Sequence, residues 1–261
     1  MPRTYVVTGA ASGIGKALAT RLRGDGHTVV GVDLRDTDVT VDLATERGRS
    51  GLVSQVTEKT GGSLDGIVAV AGLAAPIPAT VSVNYFGAVA TLEGLRPLLA
   101  GSSAPRAALV ASLAAIESGD ERLLAALGDG NEAKALSIAE EIAADATSGA
   151  SGAIYNSSKR AIALWMRKNA PAAEWAGASI PLNAVAPGVI ETPMTGEVLA
   201  TEEGRAALSA GAPAPLNGPV APPSAPANLL AWLVSAENTN MTGQILYVDG
   251  GADSIRRPER V

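Results

Sequence analysis

The chain has 261 residues, 47% of them hydrophobic, which is enough to bury the core of one large α/β domain. Its net charge is −6 and its basic residues are scattered, which excludes the clustered basic face that a nucleic-acid partner requires. There is no cysteine, so disulfides and thiolate metal sites are excluded, and no metal is expected. The stretch before Gly9 is too short for a signal peptide, and no apolar run approaches the ~18 residues of a membrane helix. A cytoplasmic protein is expected.

The first predicted strand is Thr4–Thr8. It runs into Thr8-Gly9-Ala10-Ala11-Ser12-Gly13-Ile14-Gly15, which opens a helix over Ile14–Arg23. A tight turn here needs a residue tolerant of positive φ, and Gly9 supplies it. Gly13 lets the backbone approach a pyrophosphate, and Gly15 lets helix and strand pack closely. The helix N-terminus offers free N–H groups and a positive dipole end to phosphates. The single histidine, His27, reads as a loop residue. The second strand, Thr28–Asp33, ends on an acid eighteen residues beyond Gly15. That is close to the spacing at which a carboxylate takes adenosine ribose hydroxyls. Asp33 would repel a 2′-phosphate by about 4 kcal/mol at 4 Å and an effective dielectric near 20, so NAD is expected over NADP. Leu34 follows it.

Between Asp33 and a third strand at Val39–Val41 there is no room for a crossover helix, so the connection must be a turn. Asp42 and Leu43 are placed to bracket an adenine, and Asp42 equally suits the N-cap of the next helix, Thr45–Lys59. Strands follow at Gly66–Val70, Ala107–Ala111, Ser179–Ala186 and Ile245–Val248. Helices are predicted over Thr80–Leu99, Ala153–Trp175 and Ala225–Val234. Alternation of apolar strands with helices predicts a parallel sheet covered on both faces. The segment 116–152 is an excess, with helix-like stretches at Glu121–Leu127 and Glu132–Ala146. In the latter, Ala135, Ile138, Ala139 and Ile142 form a stripe at i, i+3, i+4, i+7. A helical insertion docked on one 1–261 domain is expected. The Pro-rich piece Ala212–Pro226 reads as irregular, and with the region from Met194 it forms a candidate flexible flap over a pocket.

Tyr155 and Lys159, four apart, lie on one helical face. A phenol beside a fixed ammonium has the makings of an acid–base group. With the turn, Asp33 and these two, the chain resembles the short-chain dehydrogenase/reductase family over essentially its whole length. Thr8–Gly15 matches TGxxxGxG, and Tyr155 with Lys159 matches YxxxK. Val70-Ala71-Gly72 stands where the family has Asn-Asn-Ala-Gly, so the usual asparagine bracing is absent. Asn84 matches the helix asparagine and Ser112 the catalytic serine. Pro187-Gly188 and Thr192 match the segment that holds the nicotinamide, with Ile190 inside it. Gly31–Asp36, Val81–Gly87 and Asp249–Asp253 resemble the bacterial 3α-hydroxysteroid dehydrogenase/carbonyl reductase subgroup.

The resemblance implies a Rossmann-type doubly wound sheet of about seven strands and an NAD-dependent oxidoreductase. Tyr155 would be the general acid–base, helped by Lys159⁺ and the nicotinamide charge. Lowering a phenol by ~2–3 pKa units needs about 3–4 kcal/mol. Lys159 would also bind the nicotinamide ribose, Ser112 the substrate oxygen, and Asn84 a water leading to Lys159. Ala71 and Gly72 would line the cofactor cleft with Ser12, Ile14 and Thr192. The expected substrate pocket, from Leu113–Ala115, Ala153–Ile154, Val189–Ile190 and Met194–Pro215, is apolar. It suits a hydrophobic cyclic, 3α-hydroxysteroid-like alcohol or ketone. Terpene or aryl (coniferyl-type) alcohols remain alternatives, as does a non-catalytic NAD-sensing protein. The insertion would cover the family's usual pairing helices, leaving a homodimer through the last helix and strand.

Overall fold

The structure is a computed structural model that describes residues 1–145, 151–216 and 218–260. Seven strands form one sheet: β1 (Thr4–Thr8), β2 (Thr28–Asp33), β3 (Val39–Thr40), β4 (Gly66–Ala69), β5 (Arg106–Val110), β6 (Leu182–Pro187) and β7 (Ile245–Val248). Their order is β3-β2-β1-β4-β5-β6-β7, and every pair is parallel. The chain winds outward in one direction to β3 and then returns past β1 to β4. That reversal opens a crevice at the carboxyl ends of β1 and β4, where doubly wound sheets bind ligands.

Alternating side chains of each strand serve two cores. Val6, Ile67, Leu109 and Leu182 face one layer, with α2 (Glu46–Thr60), α4 (Ala88–Leu95) and α7 (Ser151–Asn169). Val7, Val68, Ala108 and Val185 face the other, with α1 (Gly13–Gly24) and α10 (Ser224–Leu233). Burial on both faces explains the unbroken apolar runs of the strands. The link from β2 to β3 is a turn, and Val39 pairs directly with Val32.

Two helices stand between β5 and α7: α5 (Glu121–Gly128) and α6 (Glu132–Ala144). Asp120 caps α5 by accepting from Arg122 N and Leu123 N, and Asn131 caps α6 by accepting from Lys134 N. The stripe Ala135, Ile138, Ala139, Ile142 is buried, with Leu123 and Leu127, in the first core. Arg49 of α2 meets Glu132 at 2.7 Å, a pair largely shielded from water. The expected helix end at Ala146 falls outside the described residues.

Several expected boundaries move for identifiable reasons. The helix expected over Thr80–Leu99 begins as α3 (Pro78–Val81), with proline in its first turn. It then widens into a π-helical segment, Ser82–Gly87, before continuing as α4. Thr91 Oγ1 donates to the Gly87 carbonyl at 2.7 Å, at the seam between the two geometries. Pro97 turns the chain into a short 3₁₀ segment. The helix expected to reach Trp175 stops at Asn169, two residues before Pro171. β6 starts at Leu182 rather than Ser179, because Ser179 is left-handed (φ +61°) and Pro181 has no N–H for the ladder. Among the described residues, no helix is long and apolar enough to cross a membrane.

The missing asparagine bracing has a substitute. Thr8 Oγ1 accepts from Val70 N at 3.0 Å and Ala71 N at 3.1 Å, joining the exits of β1 and β4. Thr8→Val keeps the shape and strands both N–H groups. It is expected to destabilise the protein by about 1–3 kcal/mol in urea melts, and an unchanged midpoint would refute the brace.

Candidate active site

The glycine-rich turn closes on backbone. Gly9 has φ +69°, and a Cβ there would sit 3.0 Å from Ala71 N and Cα. At Gly15 a Cβ would strike the Gly9 carbonyl, so only glycine lets α1 approach β1 this closely. Gly13 faces the Thr192 methyl. The turn, Ala71 and Thr192 therefore converge from three parts of the chain. Ser12 occupies the N-cap of α1 without a side-chain capping bond, and the first turn, which includes Ile14, carries no acid. The positive end of that helix is free to meet an anion.

Asp33 is engaged with the turn itself. Its Oδ2 accepts from Ala11 N at 3.0 Å and its Oδ1 from Leu34 N at 2.7 Å. A carboxylate retains further acceptor capacity beyond these two bonds. Leu34 is exposed beside it. A polar groove of about 420 Å³ follows, lined by Ala10, Arg23, Gly31, Asp36, Thr37 and Asp38. Of the expected adenine pair, Asp42 is exposed and accepts from Ala44 N. Leu43 is not open: its side chain is buried in the first core, against Gly87. Nor does Asp42 cap α2. Thr45 does, accepting from Gly48 N at 3.0 Å.

The second cluster gathers where β5 meets α7. Ser112 follows β5 and caps a 3₁₀ turn, its Oγ accepting from Ala114 N at 3.1 Å. Tyr155 hydrogen-bonds with Ser112. Lys159, one turn along α7, is only 4% exposed. Its Nζ donates to the Val110 carbonyl at 3.0 Å and lies 5.9 Å from the Tyr155 ring centre. Gly72 is wedged beside it, where a Cβ would lie 3.4 Å from Lys159 Nζ and 3.1 Å from Asn84 Oδ1.

Asn84, in the π segment, is buried, with both of its amide N–H groups and its oxygen engaged. Oδ1 accepts from Leu73 N, and Nδ2 donates to Leu73 O and to Ser158 Oγ at 3.0 Å. Ser158 in turn donates to the Tyr155 carbonyl at 2.7 Å. Asn84 thus reaches the Tyr155 helix through Ser158, a residue that sequence reasoning did not single out. A serine in the third place of a helical turn carries no signal of its own; its importance comes from a contact 74 residues away.

The electrostatics differ from the expectation. In the ligand-free chain the Tyr155 phenol is pushed up from its ordinary range by burial, which the Ser112 hydrogen bond only partly opposes. Lys159 is pushed down to about 8, also by burial. Its ammonium is directed to a carbonyl rather than to the phenol oxygen, so desolvation outweighs attraction.

On the far side, Pro187 ends β6 and Gly188 N donates to Val248 O at 3.0 Å. Ile190 is buried and bridges to Ala221, and Thr192 caps α8 (Pro193–Leu199). The first part of the expected flap is helical, α8 being followed by α9 (Glu202–Gly211), which Thr201 caps, and the described residues between Gly211 and Ser224 form no helix or strand. Neither helix buries a side chain, and Met194 and Val198 are exposed. Leu113, Ile154 and Ile190, expected to line the pocket, are instead buried in packing. Leu113 forms a small apolar cluster with Ala212 and Ala252, joined by Ile116, Val189 and Tyr247.

Two family models match the chain: "short chain dehydrogenase" over residues 3–124 and "Enoyl-(Acyl carrier protein) reductase" over 121–253. The 3-alpha-hydroxysteroid dehydrogenase/carbonyl reductase of Comamonas testosteroni is 35% identical, with 97% of each chain covered. The cis-4-hydroxycyclohexanecarboxylate dehydrogenase of Sinomonas cyclohexanicum is 31% identical, again over 97% of each. The crystal structure of the 3-alpha-hydroxysteroid dehydrogenase from Pseudomonas sp. B-0831, complexed with NADH, is 36% identical. It superposes with a TM-score of 0.90 over 99% of this chain and 100% of that one.

The buried ammonium has a measurable cost. Each pKa unit is worth about 1.4 kcal/mol, so a fall from 10.5 to about 8 costs roughly 3 kcal/mol below pH 8. The unfolded chain binds the extra proton between pH 8 and 10.5, so stability rises with pH across that window. Lys159→Met is expected to raise ligand-free stability at pH 7 by about 2 kcal/mol, after allowing for the lost Val110 bond. The advantage should shrink toward pH 10.5, and a less stable Met variant at pH 7 would refute the balance.

Proposed function

The chain belongs to the short chain dehydrogenase family of oxidoreductases, and we propose that it interconverts a secondary alcohol and a ketone on a hydrophobic cyclic substrate of the 3α-hydroxysteroid kind, with NAD as its cofactor. The observation that carries the reading is the hydrogen-bonded pair Ser112–Tyr155 beside the sealed Lys159, at the same sheet edge as the glycine turn. We read residues 1–261 as one dinucleotide domain, with 116–152 as a helical insertion.

The residues suit a dinucleotide. Gly9, Gly13 and Gly15 leave a turn without side chains, and the uncapped start of α1 suits a pyrophosphate. Asp33 would hold the adenosine ribose and oppose a 2′-phosphate, while Asp38 beside it is paired with Arg23. Thr192, Gly188, Ala71 and Gly72 would line the nicotinamide half. When bound, the nicotinamide accepts or supplies the hydride.

Tyr155 moves the proton. In ketone reduction the phenol gives its proton to the carbonyl oxygen, and in alcohol oxidation the phenolate takes it from the hydroxyl. Ser112 Oγ donates to the same oxygen and holds it near Tyr155. Lys159 presents a fixed positive charge, and its remaining N–H groups would meet the nicotinamide ribose. Burial keeps the phenol protonated near neutrality, the form that donates to a ketone, and the phenolate formed as pH rises is the form that accepts the proton of an alcohol. Apolar Val189, Met194 and Val198 favour a ring system, and the steroid-type and cyclohexane-type relatives share a ring substrate.

We also propose a homodimer through α10 and β7. All four residues of β7 are half-buried and apolar at the open edge of the sheet, and Trp232 is exposed on α10. The helices α5 and α6 pack over α3 and α7, which leaves the other edge for pairing.

Cyclic ketones and secondary alcohols, followed by NADH absorbance, test the activity. Tyr155→Phe is expected to keep NADH binding and lose about 10²–10⁴ in turnover; near-normal turnover sinks the assignment. A higher kcat/KM with NADP⁺ than with NAD⁺ would refute the role of Asp33. Light scattering should return a dimer mass, and a monomer or tetramer would overturn the pairing.

A further inference from the structure

The helices α8 and α9 span Pro193–Gly211 beside the cleft without burying a side chain. Such a segment is held at its ends. At the start, Thr195 Oγ1 donates to the Ile190 carbonyl at 2.6 Å and caps Thr192 N. At the other end Ala212 enters the apolar cluster with Leu113 and Ala252, and Leu216 N donates to Gly250 O at 3.1 Å.

One side chain joins that end to the active site. Arg256 lies in the last helix, α11 (Ala252–Arg256). Its Nη1 donates both to Glu117 Oε1 and to the Gly211 carbonyl, the latter at 3.1 Å. Glu117 terminates the 3₁₀ turn that Ser112 caps, and Arg160, next to Lys159 on α7, donates to the Glu117 carbonyl at 3.4 Å. The helix that carries Arg256 is itself fixed. Asp249 accepts from Gly251 N and Asp253 N, and Arg257 bridges Asp253 and the Tyr247 hydroxyl. Elsewhere Ile255 faces Ser209, Pro213 and Ala214 across a groove of about 300 Å³.

We propose that Arg256 is a substrate-positioning residue: by clasping Glu117 and the end of α9 together, it sets the lid in register with Ser112 and Tyr155. The proposal rests on the dehydrogenase reading above. The clasp joins Glu117 and Gly211, whereas Asp33 is bonded to Ala11 and Leu34, so the clasp acts on the substrate and not on the cofactor. A hydrophobic ring offers no charge for a fixed cation to grip, so its retention depends on how closely the lid is held. The pair is about one-third exposed on each side, so its strength responds to salt.

Arg256→Ala and Glu117→Gln test it. Arg256→Ala is expected to raise KM for the cyclic ketone roughly tenfold, with kcat changed less than about twofold and NADH affinity unchanged. Glu117→Gln should shift KM in the same direction, and the double variant should be no worse than Arg256→Ala. A glutamyl endopeptidase should cut after Glu197, Glu202 or Glu203 faster in Arg256→Ala than in the wild type. An unchanged KM overturns the proposal, and so does an equal loss of NADH affinity, which would make the pair a general strut. If the wild type reduces no ketone, the dehydrogenase reading fails, and proteolysis still decides the clasp: equal cleavage of variant and wild type overturns it.

Discussion

An ammonium sealed from water, with a backbone carbonyl as its partner, is the constraint around which the rest of the site is built. Among the described residues no carboxylate pairs with Lys159, and burial brings it toward neutrality. The fold tolerates this because the surrounding framework is over-determined. β4, β5 and β6 are buried on both faces, and the Val110 carbonyl that receives Nζ stands at the end of the interior strand β5. Gly72 leaves the space beside the ammonium open, where a side chain would crowd Asn84 and Lys159 together. Stability is spent here on a charge that only a ligand can use, a familiar relation between active sites and folded scaffolds.

The same arrangement separates the two halves of the site. The glycine turn and Asp33 belong to β1 and β2, before the chain reverses at β4. Ser112, Tyr155 and Lys159 belong to β5 and α7, after it. Each half is internally bonded in the ligand-free state: Asp33 to Ala11 on one side, Asn84 to Ser158 and Tyr155 to Ser112 on the other. They meet where Gly9 packs on the Ala71 backbone, braced by Thr8, and where Gly13 faces the Thr192 methyl. A ligand that spans the crevice therefore bridges two preformed pieces without having to fold either.

The helices between β5 and α7 enlarge the first core without disturbing the catalytic face of α7. Their apolar stripes, which include Leu123, Leu127 and Ile138, point inward, and the turn before α5 is stitched to α7 by Asp120 N donating to Ser157 Oγ. Two adjacent serines of one motif thus do different jobs: Ser157 holds the added helices, and Ser158 holds Asn84. On the opposite side the lid has no comparable core, which leaves its position to a few polar bonds at its ends.

Local patterns in the chain sufficed for the order of strands and helices, the glycine turn, Asp33 and the Tyr155/Lys159 face. Each is set by short-range sterics and by periodicities that repeat every two or 3.6 residues. The i, i+3, i+4, i+7 stripe of α6 is buried as its spacing demands. Tertiary structure alone decided which of these residues are sealed. Leu43, Ile154 and Ile190 read as lining residues, yet packing closes over them. The phenol of Tyr155 read as an activated acid–base group, yet in the ligand-free chain its pKa is raised. Ser158, Thr8 and Arg256 acquire their partners across 74, 62 and 139 residues of chain. Desolvation and long-range hydrogen bonds depend on what other segments bring to the same place, and no window of sequence contains that neighbourhood.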